Sequence, residues 1–254
     1  INMFLHDINY EKFDIAHGDT LTDLMHWDDQ PFEAIVSNPP YSINWDGDAN
    51  PLMINDQRFA PAGVLAPKSK ADLAFTLHIL HWLAVNGTAA IVEFPGVLYR
   101  GGAEQKIRKY LVDNNYVDAV IQLPPDLFFG TGIQTCILVL KKSKSDNKVL
   151  FINAEREFTR IGNKNSLTDN DRARVLESFT QRNNEDYFSR IVDHSEIAEN
   201  NYTLSVSTYI TAEDTREAID IKALNAEIDQ IVKRQSELRI QIDAIVANLE
   251  GNSA

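Results

Sequence analysis

Apolar positions along the chain follow two periods. Phe32–Ser37 (FEAIVS), Thr88–Phe94 (TAAIVEF), Val117–Leu123 (VDAVIQL), Gln134–Lys142 (QTCILVLKK) and Lys148–Ala154 (KVLFINA) are short, nearly unbroken apolar runs. Runs of that kind predict strands buried on both faces, as in a parallel sheet covered by helices. Phe13–Asp19 (FDIAHGD) reads as a further short strand running into a loop. Between the runs the period changes to that of a helix. Leu73, Leu77, Leu80 and Ala84 predict one helix, ended by Asn86-Gly87, and Gly102–Asn115 predicts another. Ser166–Phe179 predicts a third, with Thr168 as N-cap and Asp171 in its first turn. The last two apolar runs sit close enough for an antiparallel edge hairpin. From Glu155 to Asp214 the pattern weakens, and Glu196–Ile210 reads as irregular or short-stranded.

The tail is the most regular part. Ile221, Leu224, Ile228, Ile231, Gln235, Leu238, Ile242, Ile245 and Leu249 recur at spacings of three and four. All but Gln235 are apolar, which is a coiled-coil seam facing a partner, with one polar residue able to set register. The other reading is an amphipathic helix packed on its own domain. Three regions follow: 1–154 as the catalytic portion, 155–214 as a connecting region, and 215–250 as a long helix for subunit assembly.

Composition narrows the class. With 44% hydrophobic and 9% aromatic residues the chain has a true core. No apolar run reaches the roughly 18 residues of a membrane span, and no leader pattern opens the chain. A single cysteine, Cys136, forms neither an internal disulfide nor a thiolate metal cluster, and a cytoplasmic setting follows. No metal site is expected. The net charge of -13 is the wrong sign for a lone nucleic-acid binder, so a DNA role requires a local basic patch or a basic partner. Arg100, Lys106, Arg108 and Lys109 are the candidate patch, although a solvated helix face is the favoured reading. His78 and His81, at i and i+3 with no nearby carboxylate at ligand spacing, read as core or surface histidines. The chain lacks a phosphate loop of the Walker kind, so ATP-driven work belongs elsewhere.

The chemistry lies in Ser37-Asn38-Pro39-Pro40-Tyr41, where a hydrophobic strand is stopped by two prolines. The carboxyl ends of strands are where open α/β sheets bind ligands. A ring-conjugated amine is a poor nucleophile because its lone pair is delocalised. Two acceptors that hold its N–H groups favour pyramidal nitrogen, and the Asn38 side-chain oxygen and the Pro39 carbonyl are such a pair. Pro40 stiffens the turn, a preorganisation effect. Tyr41 offers a stacking face for a base flipped out of a duplex, worth roughly 1–3 kcal/mol. The pattern leaves the planar amine open: adenine N6, a glutamine amide in a release factor, and guanine N2 in RNA all qualify.

Asn38-Pro39-Pro40-Tyr41 resembles the catalytic motif of amino-methyltransferases. More of the chain, including HGDTL, ADLAF, the run from Gly87 to Leu111, the run from Val117 to Lys142, NNYTLSVSTYI and the tail, is similar in order to the modification subunit of type I restriction–modification systems. That resemblance implies a Rossmann-like α/β methyltransferase sheet with a long C-terminal helix, S-adenosylmethionine as methyl donor, and adenine N6 as acceptor by direct in-line transfer. It implies assembly of two modification subunits with a DNA-reading specificity subunit, joined by restriction subunits. It places Asp19 of GDTL against the cofactor's adenine amine, and Phe75 of ADLAF in the cofactor or base pocket or simply in the core. The glycine-rich loop and ribose carboxylate of such enzymes have no match. Gly101-Gly102 and Gly130-x-Gly132 follow the catalytic motif and are rejected for that role. The chain starts at Ile1, within a helix-like INMFLHDI, and is expected to be an N-terminally truncated piece lacking the first strands, poor at binding cofactor alone. A stand-alone methyltransferase of another substrate and an inactive assembly module are the remaining alternatives.

Overall fold

The computed structural model describes residues 2–47, 50–129, 132–213 and 220–251. Residues Ile1–Ala212 form one compact unit and Glu213–Ala254 a second. The first unit is built on a six-stranded sheet whose strands are β1 (Phe32–Ser37), β2 (Leu83–Glu93), β3 (Val117–Gln122), β4 (Cys136–Lys141), β5 (Lys148–Asn153) and β8 (Ser189–Asp193). Their spatial order is β1-β2-β4-β3-β5-β8. β1, β2, β3 and β5 run in one direction, whereas β4 and β8 are antiparallel to their neighbours. A separate hairpin pairs β6 (Thr159–Ile161) with β7 (Lys164–Ser166).

β3, β4 and β5 form strands for the expected reason, being buried on both faces, whereas β1 departs from it: its Ile35 packs on the core but Ala34 and Val36 on the other face are exposed. Leu138, Leu140 and Phe151 point into one core cluster, while their neighbours Val139, Leu150 and Ile152 point into another. The first cluster includes residues of α2 (Asp72–Trp82), α3 (Ala103–Asp113), α5 (His194–Glu199) and α6 (Val206–Tyr209). Val175 and Phe179 of α4 (Asp169–Gln181) pack on the second. The Thr168 side chain accepts from the Asp171 N–H and Asp171 caps the Thr168 N–H in return, a full capping box.

Several expectations need correction. Glu196–Ile210, read as irregular or short-stranded, holds most of α5 and all of α6. The predicted hairpin between the fourth and fifth apolar runs does not form. β4 inserts between β2 and β3, so both its edges are satisfied there, and β5 pairs in parallel with β3. Phe13–Asp19 forms no strand and has no ladder partner among the described residues; an extended segment without a neighbour leaves its backbone to solvent. α1 covers only Asn2–Leu5. The helix opening at Asp72 also stops at Trp82, not at Asn86-Gly87. Leu83 is already extended (φ -73°, ψ 133°), and Asn86-Gly87 falls in β2 beside a register shift against β1. Burial of Leu83 and Ala84 against the sheet outweighs the local capping signal.

α3 opens at Gly102, whose φ of 71° and ψ of -132° suit glycine alone. Of its four candidate phosphate-binding cations, Arg108 is not on a solvated face. It is buried, and its Nε and Nη1 donate to the carbonyls of Tyr202 and Val97 at 2.9 and 2.8 Å. Arg100 pairs with Glu104 and lies over the Phe94 ring, Lys109 pairs with Asp113, and Lys106 is exposed. Arg108, with the Leu204 N–H donating to the Leu98 carbonyl, ties two sequence segments about a hundred residues apart into one structural unit.

In the second unit α7 spans Ile221–Gly251, about 46 Å at 1.5 Å per residue. The described seam residues Ile221, Leu224, Ile228, Ile231, Leu238, Ile242 and Ile245 are 45 to 68% exposed. Among the described residues no helix is long and apolar enough to cross a membrane. Replacing Arg108 with Met should lower unfolding free energy by about 2 kcal/mol or more, since each buried acceptor left unpaired costs roughly 1–3 kcal/mol. Urea titration of the variant checks this; an unchanged midpoint would show that the Tyr202 and Val97 carbonyls do not need this donor.

Candidate active site

β1 and β2 are parallel, with Ser37 opposite Ile91, so the turn after β1 and the end of β2 lie at the same edge of the sheet. Asn38 is exposed there, Pro39 is buried, and Tyr41 is half-buried. The Tyr41 hydroxyl donates to Asn38 Oδ1 at 2.7 Å. This bond orients the amide and identifies its oxygen as the acceptor. A carbonyl oxygen carries two lone pairs, so one remains for an incoming N–H. Burial, followed by the nearby Glu93, Cys136 and Asp72, raises the Tyr41 pKa. The phenol therefore stays protonated and able to donate.

The residues after the turn form a compact loop rather than a loose one. The Ala71 N–H donates to the Ile43 carbonyl and the Trp45 N–H to that of Lys68, both at 3.0 Å, closing the neck. Trp45 and Phe59 meet edge to face at 5.3 Å inside it, and Phe59 is fully buried. Trp45, Phe59, Leu65 and Ala66 of this stretch, expected to be a long surface loop from Ser42 to Lys70, belong to the main core cluster.

Behind the turn lies a buried polar layer. Asp72, Thr76 and Glu93 are all 1% exposed or less. Asp72 Oδ1 accepts the Ser42 N–H at 3.0 Å, and Thr76 Oγ1 donates to Glu93 Oε1 at 2.7 Å. Burial pushes the Glu93 carboxyl up to about 8, with the Thr76 bond opposing and the Asp72 charge adding to the rise. The Cys136 thiol, also raised by burial, donates to the Glu93 carbonyl at 3.5 Å. Sequence reasoning missed these groups. The available signal was an acid inside an apolar run, Glu93 in TAAIVEF and Asp72 opening ADLAF.

Asp19 stands apart from this layer. It is exposed, and its Oδ1 accepts the Leu21 and Thr22 N–H groups at 2.8 and 3.2 Å, shaping its own turn. Buried Arg58 fastens that turn to the core: Nη2 donates to the Leu21 carbonyl at 2.8 Å and Nη1 to His78 Nδ1 at 3.1 Å. A guanidinium only donates, so His78 Nδ1 is the acceptor, in keeping with a pKa lowered to about 4 by burial and by Arg58. His78 is a core histidine and His81 is half-buried, stacked on Trp27. Phe75 is half-buried against the main core. The cavity beside the Asp19 turn, lined by Gly18, Thr20, Asp23 and Trp82 among others, is about 90 Å³. Small-molecule sites measure roughly 300–1,000 Å³, so the described residues around Asp19 do not enclose a nucleoside-sized cofactor. Asp14 and Asp29, both exposed, lie 3.8 and 2.9 Å from His26 Nδ1 at the surface.

A family model described as N-6 DNA Methylase matches residues 1–218. The chain is 47% identical to the type I restriction enzyme MpnII methylase subunit of Mycoplasma pneumoniae, over 98% of this chain and 48% of that protein. It is 30% identical to the MjaVII methylase subunit of Methanocaldococcus jannaschii, over 99% of this chain and 44% of that one. A crystal structure of a type I restriction-modification methyltransferase subunit from Streptococcus thermophilus superposes with a TM-score of 0.79 at 40% identity, covering 82% of this chain and 45% of that one. The chain spans about half the length of the curated relatives it matches.

The buried acid layer has a pH signature. Glu93 keeps its proton in the folded protein up to about 8, whereas the unfolded chain releases it near 4.5. Its contribution to stability is therefore fully present below 4.5, falls as pH rises through the window to about 8, and levels off above it. Glu93→Gln keeps the acceptor for Thr76 and removes the titration. Melting temperatures measured from pH 5 to 9 should show the variant gaining on the parent as pH rises; parallel profiles would mean that Glu93 does not titrate in this window.

Proposed function

The chain belongs to the N-6 DNA methylase family, and from that premise we propose that it is the acceptor-binding part of a type I restriction–modification methylase subunit. In this reading the whole enzyme methylates N6 of an adenine flipped out of duplex DNA. The observation that carries the proposal is the exposed Asn38 amide at the carboxyl end of β1, its oxygen oriented by Tyr41. Identity with proteins named type I methylase subunits supports the choice of adenine over a glutamine amide or an RNA guanine.

The chain's own residues act on the acceptor. Asn38 Oδ1 and the Pro39 carbonyl accept the two N–H groups of the amine and draw its lone pair out of conjugation. Pro40 holds the acceptors in a fixed turn, so little reorganisation accompanies the reaction. The Tyr41 ring lies against the base. The family implies S-adenosylmethionine, which supplies an electrophilic methyl group. Asp19 offers one exposed carboxylate to an amine of that cofactor and Phe75 an apolar edge. The cavity beside the Asp19 turn, about 90 Å³, is too small to enclose a nucleoside.

We assign residues 1–154 to the methyltransferase domain, 155–214 to its connecting region, and 215–250 to assembly. The exposed 3-4 seam of α7 supports a contact with a specificity subunit in a complex that also holds a second modification subunit and restriction subunits. The net charge of -13 supports leaving DNA reading to that partner. A cytoplasmic site of action accords with the buried free thiol of Cys136.

Asn38→Ala in the full-length subunit, assembled with its specificity partner, should cut transfer of labelled methyl groups to duplex DNA by about 100-fold or more, the usual effect of deleting one group aimed at the transition state. Co-elution of the subunits should be unchanged. Full methylation by the variant would refute the assignment of Asn38.

A further inference from the structure

The buried layer behind the turn contains a group whose position the proposed chemistry does not explain. Asp72 is 1% exposed, and its Oδ2 has no hydrogen-bond partner among the described residues. An acid in the first turn of a helix ordinarily complements the helix dipole from solvent. A buried carboxylate with an orphaned oxygen is an expensive way to do that, and such groups call for a specific account. Its Oδ1 supplies one by accepting the N–H of Ser42, thirty residues away in sequence. Ser42 has a φ of 51°, a left-handed conformation that costs a residue with a Cβ about 1–2 kcal/mol. It is also the residue that immediately follows Tyr41.

We propose that Asp72 is a positioning residue for the acceptor turn, locking Ser42 in its left-handed conformation so that Tyr41 folds back onto Asn38. The inference rests on the reading of that turn as the amine site. Asp72 touches neither base nor cofactor in this account; it acts through the Ser42 N–H. Two further contacts make it a rigid anchor. The next hydrogen bond along the neck, Ala71 N–H to the Ile43 carbonyl, fixes the same two strands of chain. One helical turn on, Thr76 bonds Glu93 at the end of β2, so the start of α2 is held to the sheet. The acceptor oxygen, not the charge, is what the turn needs from outside, and glycine at 42 would need no hold at all.

Three variants of the full-length complex test this. Asp72→Ala should lower kcat by about 10- to 100-fold, the scale of a small misplacement of reacting groups, with KM for DNA changed less than about threefold. Asp72→Asn keeps an acceptor and should stay within about fivefold of the parent. Asp72→Ala with Ser42→Gly should recover much of the lost kcat, because glycine takes positive φ freely. Hydrogen exchange at the Ser42 amide, followed in the peptide 38–45, should accelerate in Asp72→Ala and stay slow in Asp72→Asn. An Asp72→Ala enzyme with parental kcat overturns the proposal. So does a double variant no better than Asp72→Ala, which would mark a general packing defect. A parent complex that methylates no adenine refutes the amine-site reading instead, and the exchange rates then still decide whether Asp72 holds Ser42.

Discussion

The parallel pairing of β1 with β2 is the constraint from which the site follows. Parallel neighbours cannot be joined by a tight hairpin; the chain must cross back over the sheet before starting the second strand. Here the crossover comprises the loop after Tyr41 and then α2. Because both strands end at the same edge, the turn after Ser37 and Glu93 at the end of β2 are brought together. Because the crossover starts at that edge, the first turn of α2 lies there too, so Asp72 and Thr76 fall behind the turn. The polar layer is thus a consequence of topology. A single ladder places the exposed amide and its buried supports on one side of the molecule.

That ladder was legible in the sequence in part. The runs at Val117, Cys136 and Lys148 read as buried strands because two-sided burial removes alternation, and the structure covers both their faces; those at Phe32 and Thr88 are strands too, but β2 alternates buried and half-buried positions and β1 leaves Val36 exposed. The Thr168 N-cap and the Asn-Pro-Pro-Tyr turn were legible because they are local: each depends on a few adjacent residues. The order of strands was not. Whether β4 pairs with β5 or slots between β2 and β3 is decided by where unsatisfied edges lie, and adjacent residues carry no record of that. The end of α2 was misread for the same reason. Asn86-Gly87 is a good local stop, but Leu83 and Ala84 are already buried in the sheet. Arg108 reads as a surface cation from its neighbours and is fixed in the core by two carbonyls from distant segments.

The distribution of charge separates chemistry from affinity. The chain carries 24 Lys and Arg against 37 Asp and Glu, and several of those cations are already engaged within the fold. Arg58 holds Asp56 and the Asp19 turn, Lys141 and Arg182 share Asp118, Arg174 bridges Glu157 and Glu185, and Arg190 pairs with Glu196. Binding a polyanion gains most of its free energy from freeing counterions, one for each phosphate neutralised. Cations committed to internal carboxylates and carbonyls contribute little to that, and an acidic surface opposes it. On the proposed reading, a DNA duplex would be held against this fold by positive charge from outside it, with the exposed seam of α7 the proposed means of bringing that charge into place. In such an arrangement the acceptor turn is free of any duty to bind the backbone. It needs only to be rigid and correctly aimed, and a buried carboxylate gripping a strained serine serves rigidity and aim where it would add nothing to affinity.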